Sequence, residues 1–197
     1  MTDEYLTVKQ SLTLKKVINR SKFLAHVQEI NNEAEARAFL LHIREQHRQA
    51  THNCFAFRLG LPPEDLTFCD DDGEPGGSAG KPILGAILSK NVTNTAIVVT
   101  RYFGGRKLGI RGLIEAYGGV SKEVLDLAGT VTRILEEKVN LTCQYDSLDR
   151  VMYLVDKYGA RITNSQYAEK AVLTLAVRRS LRDDLLEELG RWAEIGN

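Results

Sequence analysis

Apolar and polar positions change their period several times along the 197 residues, and each change predicts an element. Residues Ser11 to Ile30 alternate as two strands that turn at Asn19-Arg20-Ser21. Asn32 and Glu35 have capping-box spacing, after which Ala36, Phe39, Leu40, Ile43 and His47 fall on one helical face. Thr51 to Leu59 reads as a strand closed by Pro62-Pro63, and a short strand follows at Leu66 to Cys69. A helix is expected from Lys81 to Lys90, with Pro82 in its first turn. Thr95 to Phe103 is apolar and β-branched without alternation, as in a central strand covered on both faces. Leu113, Ala116, Tyr117, Val120, Val124 and Leu127 mark a further helix, across Gly118-Gly119.

Beyond Arg133 the pattern restarts. Ile134 to Tyr145 is strand-like, and Asp146 with Asp149 opens a helix carrying Leu148, Val151, Leu154, Val155 and Tyr158. Gly159 stands where a helix-ending glycine belongs. Arg161 to Tyr167 and Ala171 to Val177 read as a hairpin. Ser180 and Asp183 are placed to cap a last helix through Leu185, Leu189 and Trp192. The order β-α-β-β-α is that of a small ferredoxin-like domain whose last strand is short or missing. The chain is thus expected to be α+β with two domains, residues 1–133 and 134–197.

Charge narrows the choice of partners. Lysines and arginines number 26 against 26 acidic residues, so nucleic-acid binding needs a local patch rather than a whole-molecule field. Cys54, Cys69 and Cys143 lack CxxC spacing and read as packed thiols in a reducing compartment. No apolar run is long enough for a membrane span and no signal-peptide pattern opens the chain. The expectation is a soluble, cytoplasmic protein with no membrane partner.

Nine of the sixteen glycines lie between Asp70 and Gly112, eight of them in two clusters of opposite charge. The basic loop combines Arg101, Gly104, Gly105, Arg106, Lys107, Gly109 and Arg111 at a strand end and a helix start, a natural anion site. The plain alternative is a tight turn with solvated cations. The acidic loop holds Asp71, Asp72, Glu74, Gly76, Gly77, Ser78 and Lys81, with His52 at the edge of the preceding strand. Its carboxylates fit ion pairing or a turn better than Mg²⁺, since they lack EF-hand spacing. Ser78 is placed to cap the helix. No nucleophile triad or metal-ligand spacing is present, so no catalytic residue is assigned and no cofactor is expected.

Three stretches carry a resemblance: Ala50-Thr-His-Asn-Cys54, Asp71-Asp-Gly-Glu-Pro-Gly-Gly-Ser-Ala-Gly-Lys-Pro-Ile-Leu84 and Val98-Val-Thr-Arg-Tyr-Phe-Gly-Gly-Arg-Lys-Leu-Gly109, continued by Ala116-Tyr117-Gly118. They resemble the IMPACT/YigZ family over nearly the whole chain. The resemblance implies an N-terminal ribosomal-protein fold like domain IV of elongation factor G and a C-terminal ferredoxin-like domain like its domain V. It also implies a role near translation, because eukaryotic members restrain the kinase that senses amino-acid starvation. Arg111 and Glu115 depart from the family's usual glycine and basic residue at those positions. The leading expectation is a non-enzymatic RNA- or ribosome-associated regulator of translation. One rival is a Mg²⁺-dependent phosphate- or nucleotide-binding enzyme, and another is a protein-binding adaptor. Oligomeric state is not legible.

Overall fold

In the computed structural model, which describes residues 3–196, the first strand is β1 (Glu4–Val8), followed by the hairpin β2 (Leu12–Ile18) and β3 (Ser21–Glu29). Its two-residue turn uses Asn19 and Arg20, both with positive φ, as a tight hairpin turn requires. Helix α1 (Glu33–Gln46) opens on the expected cap: Asn32 Oδ1 accepts from Glu35 N at 2.9 Å. Glu35 in turn accepts from Asn31 N at 2.9 Å. Next come β4 (His52–Leu59), β5 (Leu66–Asp70), α2 (Gly80–Ser89), β6 (Thr95–Tyr102), α3 (Gly109–Ala128) and β7 (Thr130–Ile134). The strands β1 and β7, neither anticipated as an element, pair as a two-stranded ribbon.

Strands β2 to β6 form one antiparallel sheet in the order β2-β3-β6-β4-β5. Its central strand explains the unalternating run. Ile97 and Val99 face a core built with α2 and α3, whereas Ala96 and Val98 face the core under α1. Burial on both faces removes the polar positions that make an ordinary antiparallel strand alternate. Full burial of the Ile97, Val98 and Val99 side chains contributes about 1.5–3 kcal/mol each. The parity has a second effect: Arg101, two residues beyond Val99, emerges on the face carrying α2 and α3.

The second unit runs through β8 (Glu136–Cys143), α4 (Tyr145–Lys157), β9 (Arg161–Tyr167), β10 (Ala171–Arg178), α5 (Arg182–Leu189) and β11 (Glu194–Gly196). Its sheet order is β11-β8-β10-β9, with every neighbouring pair antiparallel. Leu141, Leu173 and Leu175 pack against Val151, Leu154, Leu185 and Leu189 of the helices. The last strand is present, but only three residues long. Chain contacts separate Tyr5–Thr132 from a unit that starts at Arg133 and also includes Asp3 and Glu4. Leu135 N donates to Asp3 O at 2.6 Å, which ties that short segment in. Ser180 is not a helix cap: its hydroxyl bonds the Asp3 carboxylate, and α5 starts at Arg182 without a side-chain cap. Among the described residues no helix is long and apolar enough to cross a membrane.

Candidate functional site

The two glycine loops meet at one buried carboxylate. Glu74 Oε1 accepts from Arg101 Nη1 at 2.6 Å and from the Tyr117 hydroxyl at 2.7 Å. His52 Nε2 stands 3.9 Å from the same oxygen. The Glu74 and Arg101 side chains are only 3% and 6% exposed, so the pair is screened little by solvent. The guanidinium is held between two aromatic rings, 5.6 Å from the Phe23 centroid and 5.5 Å from Phe103. Arg101 Nη2 also reaches Ser21 Oγ at 3.3 Å, while its Nε is buried without a partner. Arg101, expected among the phosphate-contacting cations, is therefore withdrawn from the surface by Glu74. Burial, then Cys54 and Glu74, push the Tyr117 phenol far above its usual range, which leaves it a proton donor.

The other acidic residues are engaged as well. Asp71 accepts backbone N–H bonds from Gly77, Ala79 and Gly80 at 2.7, 2.9 and 2.8 Å. Burial alone would raise its pKa, but these three bonds together with the Lys81 charge outweigh it and the net shift is downward. Asp71 thus fills the nest of N–H groups before α2 that an external phosphate would need. Asp72 bonds Asn53 N at 2.6 Å and Arg44 at 2.5 Å. His52 Nδ1 bonds the Asp72 carbonyl at 2.7 Å, which fixes the ring. Among the described residues no group of His, Cys, Asp and Glu is arranged to hold a metal ion. A Mg²⁺ ion would have to displace one of these internal partners.

Ser78, read as a helix cap, is buried with its hydroxyl unpartnered, and Asp71 caps α2 instead. Gly76 faces open space, and Lys81 is an exposed cation whose stem packs at Gly77. Cys54 donates to the Asp71 carbonyl at 3.1 Å, and burial pushes its thiol up to about 12. Nucleophilic chemistry there is disfavoured.

The basic loop is tied down at its start and faces solvent. Phe103 N donates to Thr51 Oγ1 at 3.0 Å, and Gly104 N to Ser21 Oγ at 3.3 Å. A Cβ at Gly104 would lie 1.9 Å from the Arg20 carbonyl oxygen, so only glycine permits this approach to the β2–β3 turn. Gly105 and Gly109 both have positive φ. Arg106 and Lys107 are exposed and carry no ion pair among the described residues. Arg111 pairs with Glu115 at 2.9 Å, but both side chains are largely in water, where such a pair contributes little. Among the described residues no side chain caps the N-terminus of α3 directly after them.

Two further cations join this rim. Arg20 is brought in by the Gly104 contact, and Lys22 by register against Tyr102, over whose ring its ammonium lies at 5.2 Å. Neither was legible, because some eighty residues of sequence separate them from the loop and only the pairing of β3 with β6 closes that distance. Phe103, Ile110 and Ile114 add 46%, 63% and 43% exposed apolar side chains beside the cations.

The residues at this junction are those of the quoted motifs, and the comparison with known proteins agrees. The family model described as the Impact N-terminal domain matches residues 19–125, more than half of the chain. The chain belongs to the IMPACT family. A second model, a domain of unknown function (DUF1949), matches residues 141–192. The IMPACT family member YvyE of Bacillus subtilis is 40% identical over 151 residues, 77% of this chain and 69% of that protein. An IMPACT family member of Haemophilus influenzae is 33% identical over 187 residues, 94% and 91% of the two chains. A crystal structure described as a hypothetical protein superposes with a TM-score of 0.76 at 28% identity, covering 99% of this chain and 97% of that one.

Proposed function

We propose that this IMPACT-family chain is a non-enzymatic, cytoplasmic regulator of translation that contacts RNA or the ribosome through the rim of Arg20, Lys22, Arg106, Lys107 and Arg111. One observation carries the reading: Arg106 and Lys107 stand exposed, and unpaired among the described residues, on a loop braced by Ser21, Thr51 and the buried Arg101–Glu74 pair. A braced loop loses little conformational freedom on binding, so its cations reach phosphates at low entropic cost. Such contacts are salt-dependent and largely indifferent to sequence. Residues of the acidic loop act from within. Glu74 ties the two loops together through Arg101, His52 and Asp72 anchor the acidic loop to β4 and α1, and Gly76, Gly77, Ser78 and Lys81 form the turn that Asp71 ties down. Residues 1–133 serve as the IMPACT-type domain, in the manner of domain IV of elongation factor G. The antiparallel order β11-β8-β10-β9 supports a ferredoxin-like domain over 134–197, in the manner of domain V.

The test is cosedimentation of the Arg106→Glu/Lys107→Glu variant with purified ribosomes at low salt. Binding lost with the fold retained supports the proposal, and unchanged binding overturns it. A second reading, a protein-binding adaptor, is favoured by the exposed Phe103, Ile110 and Ile114. It predicts that association survives ribonuclease and is lost on Ile110→Asp. The phosphate-handling rival is weakened by Asp71 occupying its own nest, and predicts a nucleotide-dependent rise in Tm that the leading reading does not.

A further inference from the structure

The helix layer of the C-terminal unit exposes a group that its own core does not use. On α4, Met152 and Tyr153 are 40% and 55% exposed, and Trp192 beyond α5 is 42% exposed. The Arg150 guanidinium joins them, 5.1 Å from the Tyr153 ring centroid and 5.7 Å from that of Trp192. Arg150 makes no ion pair among the described residues, although Asp146 lies one turn away on the same helix. Tyrosine, tryptophan and arginine in one exposed cluster are the residue types that anchor protein interfaces. Two rings that already share a cation have less rotamer freedom to lose when covered.

Charge selects the occupant. Asp149 and Asp156 flank Tyr153 at helical spacings of four and three residues, both exposed without an ion pair among the described residues, whereas Lys157, four residues beyond the ring, is paired with Glu188. Asp184, Glu187 and Glu188 of α5, with Tyr158 and Arg191, line a shallow depression of about 450 Å³, in which Glu188 is already paired with Lys157. A phosphate backbone would be repelled by these carboxylates, whereas lysine or arginine side chains would be drawn to them.

We infer that the Met152–Tyr153–Trp192 face docks a basic, apolar-faced protein segment, seating its apolar side on the rings and its cations on the acidic rim. This goes beyond the RNA contact proposed for the N-terminal unit and does not depend on it. An assembly of RNA with basic proteins would offer both partners, phosphate to one unit and a basic segment to the other.

Trp192 is the only tryptophan, so its emission reports this face directly. The full chain is titrated with a synthetic amphipathic helix of lysine and leucine, with the same peptide carrying glutamate for lysine, and with a single-stranded oligouridylate. The basic peptide is expected to shift Trp192 emission to the blue and protect it from acrylamide, while the other two leave it unchanged. Anisotropy of the labelled basic peptide is expected to show about tenfold weaker binding to Tyr153→Ala. The same assay on Arg106→Glu/Lys107→Glu is expected to show unaltered affinity, which keeps this test separate from the ribosome experiment. Overturning results are no protection by the basic peptide, equal affinity of Tyr153→Ala, or protection of Trp192 by the oligouridylate.

Discussion

Replacing Glu74 with alanine removes the carboxylate that neutralises Arg101 and accepts from Tyr117. Both are left buried, Arg101 with 6% of its side chain exposed and Tyr117 with none of the residue exposed. Breaking a buried ion pair from one side costs about 3–5 kcal/mol, because the surviving charge has lost its counter-charge and cannot reach water. The orphaned phenol adds to this, although the two losses share one oxygen and do not sum. Tryptophan fluorescence is blind here, because Trp192 belongs to the other unit. Amide hydrogen exchange on β3, β6 and β4 reads the correct one. Protection there is expected to fall by about two to four decades, the equivalent of that range at 1.4 kcal/mol per decade. Glu74→Ala combined with Arg101→Met leaves neither charge behind and is expected to recover most of the loss. A single variant that loses less than about 1 kcal/mol, or a double variant worse than the single, would refute the view that this pair braces the loops.

Two further outcomes follow from named contacts. Gly104→Ala forces the β2–β3 turn away by placing a Cβ 1.9 Å from the Arg20 carbonyl, so exchange at Lys22 and Phe103 should rise selectively; wild-type rates would show that the loop yields freely. His26 is held at about 4 by burial first and His47 second, against 6.5 when unfolded, so the unfolded chain binds more protons between those values. Stability is therefore full above pH 6.5 and declines by about 3 kcal/mol as pH falls to 4, a slope that His26→Gln should flatten; a flat wild-type profile would contradict the burial argument.

The strands and helices of the N-terminal unit were legible because their periods are strong and their turns carry asparagine, glycine or proline. The pair β1 and β7 was not, since each is short and finds its partner more than a hundred residues away. The same limit governed the site. That both loops matter could be read from glycine and charge, but not that Arg101 points inward. Its orientation follows from strand parity in β6, and its neutralisation by Glu74 from where α2 begins. Ser78 looked like a cap because serine before a helix usually is one, yet Asp71 had already taken the N–H groups. Arg20 and Lys22 gave no local signal at all.

The most direct measurement is the affinity of the full chain for a labelled structured RNA across a salt series from about 50 mM upward. Log affinity is predicted to fall linearly with log salt concentration, and Arg106→Ala and Lys107→Ala are each predicted to make the slope shallower by about 0.7–0.9. No RNA binding at the lowest salt, or slopes indifferent to both substitutions, would contradict the assignment of this rim to RNA.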